Sequence, residues 1–440
     1  MQAALATSVL FLFQCLLGEE LSLAEVPDTF DLVLLPLTSG ARCLDGTPAG
    51  YYLKKGVGSN ASRWMVHFEG GGWCVNEPDC VARSKLDTGS SRTWKASLQG
   101  LPMNDDGAHG MLSSDPMENP DFYDWTKVHV NYCDGSSWSG DRREPLKTKS
   151  GQRLFMRGRH NLDATLASLL DNGLASATHV IMKGQSAGAL AIFLHVDYIR
   201  SRLHSDIDFV ALADSGMFLN LPTWTGWPGY AIQMQGVVEL HKVTGLNDRC
   251  VQQYSHAERW HCFMAPYILP HITTPLFIVQ ALYDAWQTEY IVNLNCVDHA
   301  CQDHKQYQSW LNLSAQQQIA LKQAPQGSGV FAKPCYIHGM VNKDDVWKNW
   351  KVNGTSMRDS FSYWWRTRNG LNLVDNRPYG SDCPRIANWP RLWIFLVGFT
   401  SLFCVVVSAC ACKVYRRRYV CRDVAAFEKL ISADHAETSL

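Results

Sequence analysis

A serine placed as a nucleophile is the clearest chemical feature of this sequence. The apolar, β-branched run His179–Met182 leads into Gly184-Gln-Ser186-Ala-Gly188, a complete G-x-S-x-G match, and a helical pattern of small apolar residues follows. Where such a motif forms a sharp turn between a strand and a helix, the serine hydroxyl is exposed at the apex. We therefore predict that Ser186 is a nucleophile. The alternative is an ordinary glycine- and serine-containing loop.

A serine hydroxyl becomes a good nucleophile only when a base removes its proton and a carboxylate orients that base. In hydrolases with this motif the chain order is serine, acid, histidine. After Ser186, carboxylates follow predicted strands at Asp214 and Asp284. Asp214 follows the strand directly after the nucleophile's helix, which is early for the acid, so we favour Asp284. His338, on a late loop, is the predicted base.

The other late histidines of the body lie in a short cysteine loop. Cys296, His299, Cys301 and His304 have a spacing that resembles a zinc-binding motif. A disulfide between the two cysteines would occupy both sulfurs, as is usual in an oxidising compartment. We therefore predict no metal site, and the chemistry expected of Ser186 requires no cofactor.

A glycine-rich loop could stabilise the negative charge that develops when a serine attacks an ester. Arg63–Phe68 has the pattern of a buried strand, and Glu69-Gly-Gly-Gly72 follows it. Glycines leave backbone N–H groups uncovered where the main chain must approach a ligand. One oxyanion donor typically comes from such a loop and another from the residue after the nucleophile, here Ala187. The alternative is a glycine-rich turn without a chemical role.

The elements that must hold these residues alternate between strands and helices. This alternation predicts an α/β fold with right-handed crossovers and a mostly parallel sheet. It stops between about 218 and 270, where aromatic residues, Pro and Gly are frequent, and we predict an inserted aromatic-rich cap. Ordinary core packing of these rings is the alternative. The predicted strands are 128–132, 179–183, 209–213 and 275–280, and the predicted helices are 158–171 and 187–202.

Composition and the chain ends indicate where the protein works. Lys+Arg and Asp+Glu number 40 and 41, for a net charge of −1, which argues against a nucleic-acid partner. Residues 1–24 resemble a signal peptide. Residues 391–412 form an apolar segment long enough to span a bilayer, and basic residues follow it. We therefore predict a single-pass type I cell-surface protein with an extracellular body, 25–390, and a cytoplasmic tail, 413–440.

Cysteines and sequons fit this location. The predicted body contains ten of the 15 cysteines, and an even number in an exported protein indicates disulfides. Local spacing predicts the pairs Cys74–Cys80, Cys250–Cys262 and Cys296–Cys301. The three N-glycosylation sequons are Asn60, Asn312 and Asn353.

The C-terminal end of the chain offers one possible partner. The last three residues, Thr438-Ser-Leu440, resemble a ligand of PDZ domains.

Five motifs occur in order along the body, namely Glu69–Cys74, Asn131–Gly135, Gln185–Gly188, Ala213–Gly216 and Leu282–Gln287. Together they resemble the pectin acetylesterase/Notum family, over roughly residues 30 to 383. The resemblance implies an α/β-hydrolase fold with a catalytic triad of Ser186, Asp284 and His338. It also implies disulfides near Cys74–Cys80 and Cys335–Cys383, and an oxyanion hole formed by Gly71, Gly72 and Ala187.

The family contains plant-type enzymes that remove acetyl groups from pectin and Notum enzymes that remove palmitoleate from a serine of Wnt proteins. The motifs at Gly70–Cys74 and Tyr283–Gln287 resemble the plant type, whereas Leu212–Leu219 and Cys250–Cys262 resemble Notum. The terminal spanning segment departs from the secreted Notum type. We favour a Notum-like carboxylesterase that acts on lipidated Wnt and lowers Wnt signalling. A glycan O-acetylesterase and a catalytically inactive lipid-binding ectodomain are the alternatives.

Overall fold

A β-sheet forms the centre of the computed structural model, which describes residues 28–99 and 110–383. The predicted signal peptide, membrane segment and tail lie outside the described residues. No helix in the described part has the length and apolar character needed to cross a membrane. The strands are β1 (Thr29–Leu34), β2 (Gly50–Lys54), β3 (Arg63–Phe68), β4 (Ser97–Gln99), β5 (Thr126–Val130), β6 (Leu146–Lys147), β7 (Arg153–Leu154), β8 (His179–Gln185), β9 (Asp208–Asp214), β10 (Leu276–Ala281), β11 (Gly329–Lys333), β12 (Lys351–Val352), β13 (Thr355–Ser356) and β14 (Leu371–Val374).

Among the described residues, ten strands join in the order β14-β11-β10-β9-β8-β3-β5-β2-β1-β4. The seven strands from β14 to β5 are parallel to their neighbours. Strands β2, β1 and β4 continue the sheet in antiparallel pairing. The carboxyl ends of β8, β9, β10 and β11 therefore meet at one edge, which is where ligands bind in open parallel sheets.

The central strands are buried on both faces, as expected for parallel strands covered by helices. In β8, Val180 and Met182 contribute to one hydrophobic cluster, whereas Ile181 contributes to another. Because successive strand side chains point to opposite faces, these clusters are the two layers of the core. The short edge strand β4 does not follow this pattern, since its residues are exposed or half-buried.

Helices cover both layers. Leu162 of α2 (Gly158–Asp171) and Phe193 of α3 (Ala187–Ser201) pack in the first cluster, while Trp347 of α8 (Asp344–Asn349) and Phe361 of α9 (Met357–Thr367) pack in the second. The predicted helices at 158–171 and 187–202 agree with α2 and α3 to within one residue. The helices are α1 (Glu77–Arg83), α2 (Gly158–Asp171), α3 (Ala187–Ser201), α4 (Gly229–His241), α5 (Asp248–Val251), α6 (Ala265–Ile268), α7 (His304–Leu321), α8 (Asp344–Asn349) and α9 (Met357–Thr367).

The predicted cap falls in the long connection between β9 and β10, which contains α4, α5 and α6. Its rings do not all have one role. Phe218 and Tyr230 are buried against Trp73 of the glycine-rich loop, whereas Trp227 is 57% exposed. The segment therefore lies over the carboxyl edge of the sheet and also contributes to the core.

Five disulfides join the ten cysteines of the described body. The three pairs predicted from local spacing are confirmed, and so is the Cys335–Cys383 pair implied by the family resemblance. The fifth, Cys43–Cys133, joins residues 90 positions apart, and spacing gave no signal for it. Such pairing is typical of exported proteins.

Candidate active site

Ser186 lies at the apex of a sharp turn. Strand β8 ends at Gln185 and helix α3 begins at Ala187, so Ser186 alone connects the two elements. Its φ of 57° is in the left-handed region that non-glycine residues rarely adopt, and such strain is typical of functional sites. A Cβ on Gly188 would lie only 2.1 Å from the carbonyl oxygen of Phe68. The motif glycine is therefore required by the close approach of β3.

The structure brings the three predicted catalytic side chains together. Nε2 of His338 lies 2.8 Å from Oγ of Ser186. On the other side of the ring, Nδ1 lies 2.9 and 3.1 Å from the two carboxylate oxygens of Asp284. An imidazole held in this way can accept the serine proton through Nε2 while its Nδ1–H donates to the carboxylate. The geometry thus suits activation of Ser186.

Asp284 is fully buried and held in place by its own neighbours. The backbone N–H of Gln287 donates to one carboxylate oxygen at 3.0 Å, and the amide of Gln280 lies 3.4 Å from the other. A π-helical turn, Gln287–Ile291, follows immediately, and such turns are frequent at functional sites. These contacts fix the carboxylate that faces His338.

The charge state of His338 depends on its two carboxylate neighbours. Burial lowers the pKa of its imidazole, but the charge and hydrogen bond of Asp284, with a further contribution from Asp214, raise the pKa above the ordinary 6.5. A raised pKa strengthens the imidazole as a base, although it also means that the ring is protonated at a higher pH. The nucleophile–base pair is therefore expected to lose function as the pH falls.

The glycine-rich loop lies directly beside the serine, since a Cβ on Gly70 would be 2.8 Å from Cβ of Ser186. The carbonyl of Gly71 accepts a hydrogen bond from Arg83 at 2.6 Å, and that of Gly72 accepts one from the hydroxyl of Tyr132 at 2.8 Å. In a trans peptide the C=O and N–H point in opposite directions. These two bonds therefore turn the N–H groups of Gly72 and Trp73 away from Arg83 and Tyr132, and of the two predicted loop donors they orient Gly72.

The other predicted donor, Ala187, is the first residue of α3. The first N–H groups of a helix lack intrahelical acceptors and lie at the positive end of the helix dipole. Ser137 connects the first turn of α3 to the residue after the glycine-rich loop, since its Oγ donates to the carbonyl of Ala187 at 2.7 Å and accepts from the indole of Trp73 at 2.8 Å. Neither Ser137 nor Arg83 was predicted from the sequence, because both act through contacts with distant backbone.

Four aromatic rings form a wall beside His338 and the end of the glycine-rich loop. Trp73, Phe218 and Trp286 contact one another with ring centroids 5.0 to 5.6 Å apart, and Tyr230 packs on both tryptophans. The rings of Phe218 and Trp286 lie 6.1 and 6.3 Å from that of His338. Trp286 is the least buried of the four. We call Trp73, Phe218, Tyr230 and Trp286 the aromatic wall.

The predicted glycosylation sites differ in accessibility. Asn312 and Asn353 are exposed, whereas Asn60 is half-buried and donates to Asp124. Modification of all three stays a prediction.

Disulfides occupy the sulfurs of the cysteine loop at 296–304 and of a second group of possible metal ligands, Cys74, Cys80 and His241. Cys296 and Cys301 form one pair. The other pair, Cys74–Cys80, lies against His241, whose Nε2 is 3.4 Å from Sγ of Cys74. Since a thiolate is needed for metal binding, neither cluster offers thiolate ligands in this form.

Comparison with known proteins assigns the family. The family model described as Pectinacetylesterase matches residues 24–384. Pectin acetylesterase 5 of Arabidopsis thaliana is 33% identical over 367 residues, covering 78% of this chain and 83% of the relative. The human palmitoleoyl-protein carboxylesterase NOTUM is 30% identical over 367 residues, covering 80% and 69%.

A solved structure gives the same result for the fold. The Wnt deacylase Notum from Drosophila superposes with a TM-score of 0.69 at 28% identity, covering 81% of this chain and 99% of the other. The predicted α/β-hydrolase fold and the family resemblance are thereby confirmed. The chain belongs to the pectinacetylesterase family, whose relatives named above are carboxylic ester hydrolases.

Proposed function

We propose that the protein is an extracellular serine carboxylesterase with Ser186 as nucleophile, His338 as general base and Asp284 as the orienting acid. The observation that carries this proposal is the continuous line of hydrogen bonds from Oγ of Ser186 through both ring nitrogens of His338 to Asp284. The complete line also argues against the catalytically inactive alternative. The disulfides support an extracellular location.

The reaction follows from this arrangement. Oγ of Ser186 attacks the ester carbonyl carbon while Nε2 of His338 takes the hydroxyl proton. Backbone N–H groups of Gly71, Gly72 and Ala187 are the proposed donors to the resulting oxyanion. Collapse of this intermediate breaks the ester C–O bond, and His338 returns its proton to the departing alcohol. Water then attacks the acyl-enzyme by the same route and releases the carboxylic acid.

The acyl group that we propose is palmitoleate, carried on a serine of Wnt proteins. The aromatic wall supports an apolar acyl chain, because each buried methylene contributes about 0.8 kcal/mol. The named activities of the NOTUM relatives and of the Drosophila structure agree with this choice. Release of the lipid would lower Wnt signalling at the cell surface.

A second candidate, a glycan O-acetylesterase, is favoured by one specific observation. The rings of the aromatic wall pack directly on one another, and three of them are almost inaccessible. If the rings fill the acyl site instead of lining it, only a small acyl group such as acetyl fits. The similarity to a plant pectin acetylesterase points the same way.

Labelling with a fluorophosphonate probe tests the nucleophile in the full-length protein. Wild type is expected to react, while Ser186→Ala should not, and Asp284→Asn should react orders of magnitude more slowly because triad members act as a unit. Ser201→Ala, an exposed serine at the far end of α3, is the matched control and should label normally. Equal labelling of wild type and Ser186→Ala would contradict the proposal.

An acyl-length series on the same preparations tests the substrate. We expect kcat/KM to rise from acetyl to long-chain esters and palmitoleate to be released from a Wnt-derived peptide. Hydrolysis of acetyl esters alone would support the acetylesterase instead. An unreactive wild-type protein that binds the lipidated peptide would support the catalytically inactive alternative.

A further inference from the structure

The backbone directly after His338 is held by the side chains of the last residue of β9 and the residue that follows it. Asp214 accepts hydrogen bonds from the backbone N–H groups of Met340 and Val341, both at 2.8 Å and both to the same carboxylate oxygen. Oγ of Ser215 accepts from the N–H of Gly339 at 2.9 Å and donates to the other carboxylate oxygen of Asp214 at 2.9 Å. The backbone N–H groups of three successive residues, 339 to 341, therefore all donate to this pair of side chains.

The same pair also contacts the nucleophile's turn. The backbone N–H of Ser186 donates to the carbonyl of Asp214 at 2.9 Å. Asp214 therefore meets the nucleophile through its main chain and the histidine loop through its side chain. Ser215 has a φ of 56°, a left-handed conformation whose cost must be offset by its surroundings. Both residues are buried.

The strand order explains why such a connection is needed. His338 follows β11, whereas Ser186 follows β8, three strands away in the sheet. At about 4.8 Å per strand, the histidine loop must reach back roughly 14 Å. Strand β9 ends with Asp214 between these two positions. Hydrogen bonds from the N–H of Ala285 to the carbonyl of Ile337 and from the N–H of Met111 to the carbonyl of Val341 also hold this loop, but Asp214 contacts both the loop and the turn that carries Ser186.

We infer that Asp214 and Ser215 are positioning residues that hold the 339–341 backbone so that His338 stays within hydrogen-bonding distance of Ser186. This inference rests on the proposed function for its catalytic consequence. Asp214 does not take the role of the acid, because Asp284 bonds to Nδ1 of His338.

The charge of Asp214 also raises the pKa values of two nearby groups. Its carboxylate contributes to the raised pKa of His338, whose other charged neighbours are Asp284 and Lys343. Burial lowers the pKa of Lys183 to about 7, and the charge of Asp214 partly offsets this effect. Nζ of Lys183 donates to Asn342, just beyond the backbone that Asp214 holds. A variant that removes the charge of Asp214 but keeps its shape therefore separates its effect on the position of His338 from its effect on the pKa of His338.

Three variants of the full-length protein test this. Asp214→Ala removes the acceptor, whereas Asp214→Asn keeps an oxygen for Met340 and Val341 but loses the charge. Asp197→Ala is the matched control, since Asp197 also accepts from two successive backbone N–H groups, those of Thr273 and Thr274. It does so on α3, outside the proposed site.

We expect Asp214→Ala to lower kcat roughly a hundredfold with little change in KM, the scale of a misplacement of about 1 Å. Asp214→Asn should stay within about tenfold of wild type. In the pH profile of kcat, the acid limb of Asp214→Asn should lie at lower pH than that of wild type, because the charge that helps to raise the pKa of His338 has been removed. Asp197→Ala should show neither effect. If Asp214→Ala and Asp197→Ala retain equal kcat, or if Asp214→Asn is as inactive as Asp284→Asn, the inference is wrong.

Amide hydrogen exchange separates this inference from the proposed function. A peptide covering 338–343 should exchange faster in Asp214→Ala than in wild type or Asp197→Ala, whether or not the protein hydrolyses esters. Unchanged exchange would overturn the inference. If Asp214→Ala does not fold, Ser215→Ala takes its place, with faster exchange at Gly339 and about a tenfold loss of kcat expected. If Ser215→Ala has the same exchange rate and the same kcat as wild type, the inference is also overturned.

Discussion

Replacing Trp286 by alanine would discriminate between the two candidate acyl groups, because it gives effects of opposite sign. Trp286 is the most accessible ring of the aromatic wall, next to Tyr290, which is 55% exposed. If a long acyl chain lies against this indole, Trp286→Ala removes part of its binding surface. If the indole instead fills the acyl site, the same change creates room for a longer chain.

The size of the effect follows from the contact area of one ring. An indole can cover two or three methylenes of a chain, and at about 0.8 kcal/mol each this amounts to roughly 1.6–2.4 kcal/mol. A free-energy difference of that size corresponds to about a 15- to 60-fold change in kcat/KM. For the palmitoleoyl proposal, the ratio of long-chain to acetyl activity should fall by this factor. For an acetylesterase it should rise.

The assay is kcat/KM for a series of esters that differ only in acyl length, measured on wild type, Trp286→Ala and Trp365→Ala. Trp365 is a suitable control because it is also half-buried and packs on Phe122 and Trp125 at 5.3 and 5.6 Å, in the opposite core layer. An unchanged ratio in Trp286→Ala would refute the assignment of the acyl group to the aromatic wall.

Two further predictions concern the base and the disulfides. Because the pKa of His338 is raised above 6.5 and only its neutral imidazole accepts a proton, kcat/KM should increase with pH through a midpoint above that value. Asp284→Asn should move this midpoint to lower pH, because the charge of Asp284 raises the pKa of His338. A pH–rate profile measures the midpoint, and an unchanged value would contradict the prediction. The double variant Cys43→Ser/Cys133→Ser opens a loop of 90 residues, so denaturant unfolding should show a loss of about 4–5 kcal/mol; a loss below about 1 kcal/mol would not fit.

Local patterns were sufficient to predict the turn at Ser186, because a strand, two close-packed glycines and a helix are all encoded within a dozen residues. The position of each carboxylate relative to the predicted strands then favoured Asp284 over Asp214, and the structure places Asp284 against His338. Short cysteine spacings worked for the same reason, since chain length limits how far apart the two partners can lie.

Contacts between distant residues that no motif marks could not be predicted. The Cys43–Cys133 pair and the contact of Arg83 with Gly71 arise only when β2, β5 and α1 have been brought together by the fold. The packing of Trp286 on Trp73 joins residues more than 200 positions apart. Composition indicated an aromatic-rich region but not which rings would face the serine.

The strand order also explains why motifs scattered along the sequence act as one unit. The proposed nucleophile, positioning pair, acid and base lie at or after the ends of β8, β9, β10 and β11, which are consecutive neighbours in the sheet. A parallel sheet fixes these four ends within about 14 Å of one another. The last step, from the end of β11 back to the serine, is made by a loop and not by the sheet. It is therefore the step at which additional hydrogen bonds have most effect on the geometry, and Asp214 and Ser215 supply them at the strand end that lies between.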